Sequence, residues 1–314
     1  MNSNKRIIVT GCAGFIGSHM VDLLLSEGRS VMGIDAFTYA GKAENIMHAY
    51  EDPNFRMYHQ DICNTHFVED LCRTNNVEWI INFAAETHVD NSIKNVSPFI
   101  KSNIEGVASL LSVCRSAGVK LLQISTDEVY GSADDVSFDE NDKLNPRNPY
   151  SASKAAAEHL ITSFHNTYGT TYKMVRMSNN FGPRQHGEKL IPTVVRSLSA
   201  GKKIPIYGDG TNIRDWFYVK DCVKMVNTVL QAGKENETYN LTHSNEMQNL
   251  TVIRKICDIL EFEPADSIEF VKDRPGHDFK YSISNEKIKK LGIDVPTNFD
   301  DALTETINNL RQQS

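Results

Sequence analysis

A chain of 314 residues, 40% hydrophobic and 23% charged, is long enough for a large core and two lobes, since single cores stop growing near ~250–300 residues. Its net charge of −7 is spread without a basic stretch, which argues against nucleic acid or an anionic membrane as the main partner. No apolar run approaches the ~18 residues of a membrane span, and the polar start Met1-Asn2-Ser3-Asn4 does not resemble a signal peptide.

Arg6 to Thr10 reads as a strand, followed at once by Gly11, Gly14 and Gly17 and then a helical pattern to about Ser26. G-x-x-G-x-x-G between strand and helix permits a tight turn and close approach of a pyrophosphate, with helix N–H groups facing the phosphates. A second strand, Ser30 to Ile34, ends in Asp35. A carboxylate there accepts hydrogen bonds from a ribose diol and repels a 2′-phosphate, so NAD is expected rather than NADP. Phe55 to Gln60 reads as a third strand closing on Asp61-Ile62, an edge suited to adenine. Glu78 to Phe83 reads as a fourth, ending in Ala84-Ala85-Glu86-Thr87-His88, small enough at first to pass close to a cofactor. His88 suits a substrate contact or a structural loop equally.

A long helix is expected over Ser97 to Ala117, then a strand over Leu121 to Ile124, a helix from Tyr150 to about Tyr168 and a strand from Tyr172 to Arg176. This alternation predicts an α/β fold, a Rossmann-type doubly wound parallel sheet. Beyond Arg176 the texture changes to turns, brief strands and short helices near 220–231, 249–260 and 299–311. Residues 1–176 are thus expected to form the cofactor domain. Residues 177–314 would form a smaller mixed α/β substrate lobe, with segments near 215–240 returning to the first. The six cysteines are scattered with no C-x-x-C pair, so neither metal nor disulfides are expected and the compartment reads as reducing, hence cytoplasmic.

Two motifs nineteen residues apart organise the chain. Ser125-Thr126-Asp127-Glu128 ends a strand, and Asp127 and Glu128 serve one site only if that strand stops near Ser125, because successive strand residues face opposite ways. Tyr150 and Lys154 lie four apart on one helix face just after Pro149. An ammonium and a nicotinamide cation beside a phenol both favour the phenolate, so Tyr150 is expected to titrate well below ~10 and act as a base.

The pieces T-G-x-x-G-F-I-G-S, A-A-E-T-H-V-D, S-T-D-E-V-Y-G and Y-S-A-S-K resemble the extended short-chain dehydrogenase/reductase enzymes. Within them the chain is most similar to the nucleotide-sugar 4,6-dehydratases of the dTDP-glucose type. The likeness continues through Ser178-Asn179-Asn180-Phe181-Gly182-Pro183, Arg214-Asp215-Trp216 and Asp273-Arg274-Pro275-Gly276-His277. It implies a lyase that oxidises carbon 4 of a hexose with NAD, eliminates water across carbons 5 and 6, and returns the hydride to carbon 6. Tyr150 would take the hydroxyl proton, Glu128 the proton on carbon 5, and Asp127 would protonate the departing hydroxyl. Thr126 would bind the oxygen on carbon 4, and Lys154 would hold the ribose and tune Tyr150.

The resemblance further implies cofactor contacts from Gly11, Gly14, Phe15, Ile16, Gly17, Asp35, Ala36, Phe37, Thr38, Asp61, Ile62, Phe83, Ala84, Ala85, Glu86, Thr87, Ser102 and Asn180. Substrate contacts are implied for Thr87, His88, Asn179, Lys189, Leu190, Pro205, Ile206, Tyr207, Asn249 and His277, with Arg214 and Arg274 at the diphosphate. Asn91 stands where bacterial dTDP-glucose enzymes usually carry arginine, so a UDP-hexose is an alternative substrate. A 4-epimerase shares the loop and the Tyr-Lys pair but needs no paired acids; a non-catalytic NAD-sensing protein would lack part of the set. A homodimer is expected through the helices near 97–117 and 150–168, with Ala155-Ala156-Ala157 and Leu160-Ile161-Phe164 offering the contact.

Overall fold

Short apolar runs bounded by glycines and polar residues become twelve strands in the computed structural model, which describes residues 5–133, 136–273, 278–293 and 296–312. They are β1 (Arg6–Thr10), β2 (Val31–Asp35), β3 (Phe55–His59), β4 (Val77–Asn82), β5 (Lys120–Thr126) and β6 (Tyr172–Met177), then β7 (Asn179–Phe181), β8 (Ile204–Tyr207), β9 (Ile213–Tyr218), β10 (Thr238–Leu241), β11 (Glu246–Gln248) and β12 (Ile268–Val271). Seven of them form one sheet in the order β10-β6-β5-β4-β1-β2-β3, with every neighbouring pair parallel. This is the doubly wound sheet expected. Its order reverses between β1 and β4, and ligands bind outside the carboxyl ends of strands at such a switch point.

Parallel strands are buried on both faces and so read as nearly continuous apolar runs. Alternate residues divide between two cores. Ile7, Val9, Trp79, Ile81 and Leu122 meet one set of helices, while Ile8, Ile34, Ile80 and Leu121 meet Leu110, Ala157 and Ile161 on the other face. A row of polar side chains crosses the sheet near its carboxyl edge. Thr10 Oγ1 donates to Asn82 Oδ1 at 2.6 Å, and Asn82 Nδ2 donates to Gln123 Oε1 at 2.9 Å, holding β1, β4 and β5 in register beneath the switch point.

The helical segment from Ser97 to Ala117 is present but not uniform: Ser97–Phe99 and Gly106–Ala117 are α-helical, and Ile100–Glu105 between them is π-helical. The helix Pro149–Tyr168 begins with Pro149 in its first turn and an Asn148–Ser151 capping box, and ends at Gly169 with φ 71°. Of the face expected for a dimer contact, Ala155, Ala157 and Ile161 are buried, while Ala156, Leu160 and Phe164 are half-buried, the last two packing on the chain's own core. An alanine-rich helix covering a sheet puts small residues inward because they allow close approach.

Beyond β6 the chain builds a three-stranded sheet, β11-β9-β7, and the pair β12-β8. Phe181, Val194, Trp216, Ile253 and Leu303 fill the core between these strands and the helices Leu190–Ser199, Asn249–Leu260 and Phe299–Gln312. The helix Val219–Ala232 packs on the helix Phe15–Ser26, and β10 joins the large sheet beside β6. Residues 278–283 cross between the two parts: Ile213 N donates to the Phe279 carbonyl at 2.9 Å, and Ala133 N to the Lys280 carbonyl at 2.9 Å.

Candidate active site

At the switch point the three glycines do different jobs. Gly11 has φ +63°, and a Cβ there would stand 2.7 Å from Ala84 N, at the start of the loop after β4. A Cβ on Gly17 would stand 2.1 Å from the Gly11 carbonyl oxygen, so Gly17 lets the helix close on the loop. Gly14 caps the helix Phe15–Ser26 with no side-chain bond, and the first turn carries no acid, leaving its N–H groups suited to an anion. Asp35 is buried, accepting from Ala13 N at 2.9 Å and Phe37 N at 2.8 Å, so it organises the loop as well as offering its remaining lone pairs. This donor and acceptor set fits the pyrophosphate and adenosine ribose of NAD.

Around it, Ile62 packs against Gly106, whose added Cβ would lie 2.5 Å from Ile62 Cδ1, and Asp61 pairs with Lys101 at 3.2 Å. Ala36, Phe37 and Thr38 follow β2, and Phe83, Ala84 and Ala85 follow β4, so both sets flank the glycine loop. Glu86 is held by a residue that sequence reasoning missed. Asn103, beside half-buried Ser102 in the π-helical segment, accepts from Glu86 N at 2.9 Å and donates to the Glu86 carbonyl at 3.0 Å and to Ser153 Oγ at 2.8 Å. It ties the loop after β4 to the helix Pro149–Tyr168.

The strand β5 runs through Thr126 and gives way to one 3-10 turn, Asp127–Tyr130. That turn, rather than an earlier strand end, brings the two acids together. Thr126 Oγ1 accepts from Glu128 N at 3.3 Å and donates to Asp127 Oδ1 at 3.1 Å. Asp127 Oδ2 is buried with no partner, and burial, then Glu128 and then Asp215, push its carboxyl well above the usual range. Asp215 is itself pushed up to about 6 by burial. Burial and the two neighbouring carboxylates thus favour the protonated form of Asp127.

Glu128 Oε2 accepts from Asn148 Nδ2 at 3.2 Å and faces the Tyr281 hydroxyl at 3.4 Å, which lies closer to Asp278 Oδ2, at 2.8 Å. Tyr150 and Lys154 are buried on the facing helix. Burial and then the Glu128 carboxylate push the Tyr150 phenol up, while a hydrogen bond with Thr126 works the other way. The lowering expected for this phenol from Lys154 and a nicotinamide cation is therefore not produced by the chain's own groups. Lys154 is held down to about 8 by burial and donates to the Ile124 carbonyl at 2.6 Å.

Of the expected substrate contacts, Lys189 Nζ reaches the Thr87 carbonyl in the loop after β4 at 3.4 Å, and Tyr207 OH reaches Asp90 Oδ2 on the helix that follows it at 3.2 Å. His88 Nδ1 accepts from Asn91 N as the cap of the helix Val89–Lys94, and its Nε2 lies 3.8 Å from Glu188. Arg214 stacks 4.2 Å over the Tyr281 ring and donates to the carbonyls of Ile213, Asp278 and Phe279. Asn179 and Asn180 lie on β7 with buried, unpartnered side-chain oxygens. Leu190 and Asn249 each open a helix, and Pro205 and Ile206 lie on β8. Arg274 and His277 lie outside the described residues.

A family model described as GDP-mannose 4,6 dehydratase matches residues 8–306. The chain belongs to that family. Its relatives include a low-salt glycan biosynthesis protein of Haloferax volcanii, 43% identical over 96% of this chain and 97% of that one. Another is the dTDP-glucose 4,6-dehydratase of Escherichia coli, 38% identical over 96% and 92%. Among solved structures, the dTDP-glucose 4,6-dehydratase of Streptomyces venezuelae, solved with NAD and dTDP bound, superposes with a TM-score of 0.95 at 39% identity, covering 98% of this chain and 97% of that one. Among the described residues no group of three or more His, Cys, Asp or Glu could hold a metal ion, and no helix is long and apolar enough to cross a membrane.

Proposed function

We propose that this protein is an NAD-dependent nucleotide-sugar 4,6-dehydratase, a hydro-lyase that converts dTDP-glucose to dTDP-4-keto-6-deoxyglucose and water. The observation that carries the reading is the Thr126-Asp127-Glu128 turn, two buried carboxyl groups of unlike environment facing the Tyr150/Lys154 helix. An epimerase needs no such pair. NAD, when bound, would supply a hydride acceptor for carbon 4 of the sugar and a hydride donor for carbon 6. Gly11, Gly14, Gly17 and Asp35 would hold it, and Lys154 would orient its ribose.

Tyr150 takes the hydroxyl proton at carbon 4, and Thr126 donates to the resulting ketone oxygen. That ketone acidifies carbon 5. Glu128 removes the proton there while Asp127, protonated because it is buried beside two other carboxylates, delivers its own to the hydroxyl leaving carbon 6. Glu128 then returns its proton to carbon 5, and the proton held by Tyr150 balances the one Asp127 gave. The second part of the chain, 177–314 without the helix Val219–Ala232 and β10, holds the nucleotide, with Arg214 at the diphosphate. The bound dTDP of the Streptomyces relative supports that nucleotide over UDP.

Six free cysteines support a reducing, cytoplasmic setting. A homodimer through the helices near 97–117 and 150–168 is supported by exposed Ile100 and Tyr168 on them and exposed Ile93 and Val96 just before the first. Light scattering at micromolar concentration is expected to give the mass of two chains, and the mass of one excludes the dimer. Incubation with dTDP-, UDP-, CDP- and GDP-hexoses tests the activity. Loss of one water from dTDP-glucose is expected, and unchanged mass with every sugar overturns the reading.

A further inference from the structure

We infer that Asn148 is a positioning residue that locks Glu128 to the helix carrying Tyr150 and Lys154, so that proton removal at carbon 5 depends on its amide. The inference rests on the dehydratase reading above. Asn148 is the N-cap of the helix Pro149–Tyr168 and its two side-chain ends do different work. Oδ1 accepts from Ser151 N at 2.9 Å, satisfying one of the helix's orphan donors. With the oxygen so placed, Nδ2 is turned the other way, and it donates to Glu128 Oε2 at 3.2 Å. The backbone tightens the clamp, since Asn148 N meets Ser151 Oγ at 3.3 Å and the Asn148 carbonyl accepts from Ala152 N at 2.9 Å.

Among the described residues the other hydrogen-bonding group at Glu128 Oε2 is Tyr281, whose single hydroxyl proton faces a nearer acceptor in Asp278 Oδ2, at 2.8 Å against 3.4 Å. Among the described residues Asn148 is thus the nearer donor to that carboxylate oxygen. A side chain that accepts from a helix N-terminus at one end and donates to a carboxylate at the other needs an oxygen and an N–H₂ two bonds apart, which an amide supplies and a carboxylate does not. Two steps of one reaction, with the base on a 3-10 turn and the redox pair on a helix, are registered to each other through one side chain.

Two substitutions separate this role from capping, because Asp and Ser cap a helix about as well as Asn. Asn148→Asp replaces the donor with an acceptor facing Glu128, and Asn148→Ser keeps the cap but withdraws the reach. Both are expected to melt within a few degrees of the parent chain. With dTDP-glucose and NAD, each should still show the near-ultraviolet absorbance of reduced nicotinamide, while water loss falls about tenfold to a hundredfold, so that reduced cofactor builds up. In Asn148→Asp the acid limb of the pH profile should also move to higher pH, since a like charge beside Glu128 favours its protonated form. Should Asn148→Asp melt much earlier, Asn148→Ser carries the test. Normal water loss in a folded variant, or an equal fall in cofactor reduction and water loss, overturns the inference. Failure of the parent chain itself to reduce cofactor or lose water overturns the dehydratase reading instead.

Discussion

Arg176 and Glu158 form an ion pair of 2.7 Å in which both side chains are almost fully buried. Arg176 lies on β6 and Glu158 one turn beyond Lys154 on the helix Pro149–Tyr168. Ser125 Oγ donates to the same glutamate, and Arg176 donates to the hydroxyl of Tyr130, at the end of the acid-bearing turn. The pair therefore braces the strand end, the turn and the helix that make the site. Removing one member leaves a buried charge alone, so Arg176→Leu is expected to lose ~3–5 kcal/mol in urea unfolding, with much of that recovered in the Glu158→Leu/Arg176→Leu double variant. A single variant as stable as the parent would show the pair is not braced as described.

Glu128 and Tyr150 serve different steps and should fail differently. Glu128→Gln keeps the donor from Asn148 facing a neutral carbonyl and leaves Tyr150, Lys154 and the cofactor loop untouched. It should reduce bound cofactor and stall, with water loss down ~10²–10⁴-fold. Tyr150→Phe removes the base for the first step and should show neither reduced cofactor nor product. Single-turnover absorbance alongside product mass distinguishes the two. Normal dehydration by Glu128→Gln, or rapid cofactor reduction by Tyr150→Phe, would reassign the roles.

Much of this site was legible in the sequence, and the exceptions share a cause. The strands showed because a buried parallel strand is an apolar run with a punctuated end, and Gly11, Gly14, Gly17 and Asp35 stand at those ends in order. Asn103 was invisible because a π-helical segment does not disturb the apolar pattern enough to reveal the residue it turns inward. Tyr281 stands 153 residues from Glu128, a separation over which no local pattern carries information. Ala155 and Ala157 turn inward although the pattern also suits a dimer contact, because small residues suit a dimer contact and a sheet contact equally. The Tyr150 phenol is expected low from Lys154 and a nicotinamide cation together; in the chain's own groups burial, which spacing does not report, pushes it up.

Gly17 gives the cleanest test of the cofactor loop. An alanine Cβ at that position would meet the Gly11 carbonyl oxygen, a backbone atom that can move only by opening the turn. Gly28→Ala is the control, since its φ of +70° is also unfavourable to alanine but nothing lies within 4 Å of the added carbon. Gly17→Ala is expected to lose NAD binding by calorimetry and to melt earlier, and Gly28→Ala to keep NAD affinity at a small cost in stability. Equal NAD affinity in both variants would mean the loop does not hold the cofactor.

Lys154 should cost stability for the sake of its place in the site. Burial lowers it to about 8, partly offset by Glu158, against ~10.4 for an exposed lysine. Below about 8 both folded and unfolded chains carry the proton, and the full cost of a buried ammonium is present. Between about 8 and ~10.4 the unfolded chain binds more protons than the folded one, so stability contributed at this position rises with pH across that window. Lys154→Met fills a similar volume without the charge. The Ile124 carbonyl that loses its ammonium donor keeps a hydrogen bond from Gln123 Nε2 at 2.8 Å, so no buried acceptor is orphaned. The variant is therefore expected to be inactive yet to melt higher than the parent at pH 7, with the difference shrinking as the pH is raised through about 8 towards ~10. Thermal unfolding across that range checks it. A variant less stable than the parent at pH 7, or a difference that does not change with pH, would mean that Lys154 is not held in the folded chain at the expense described.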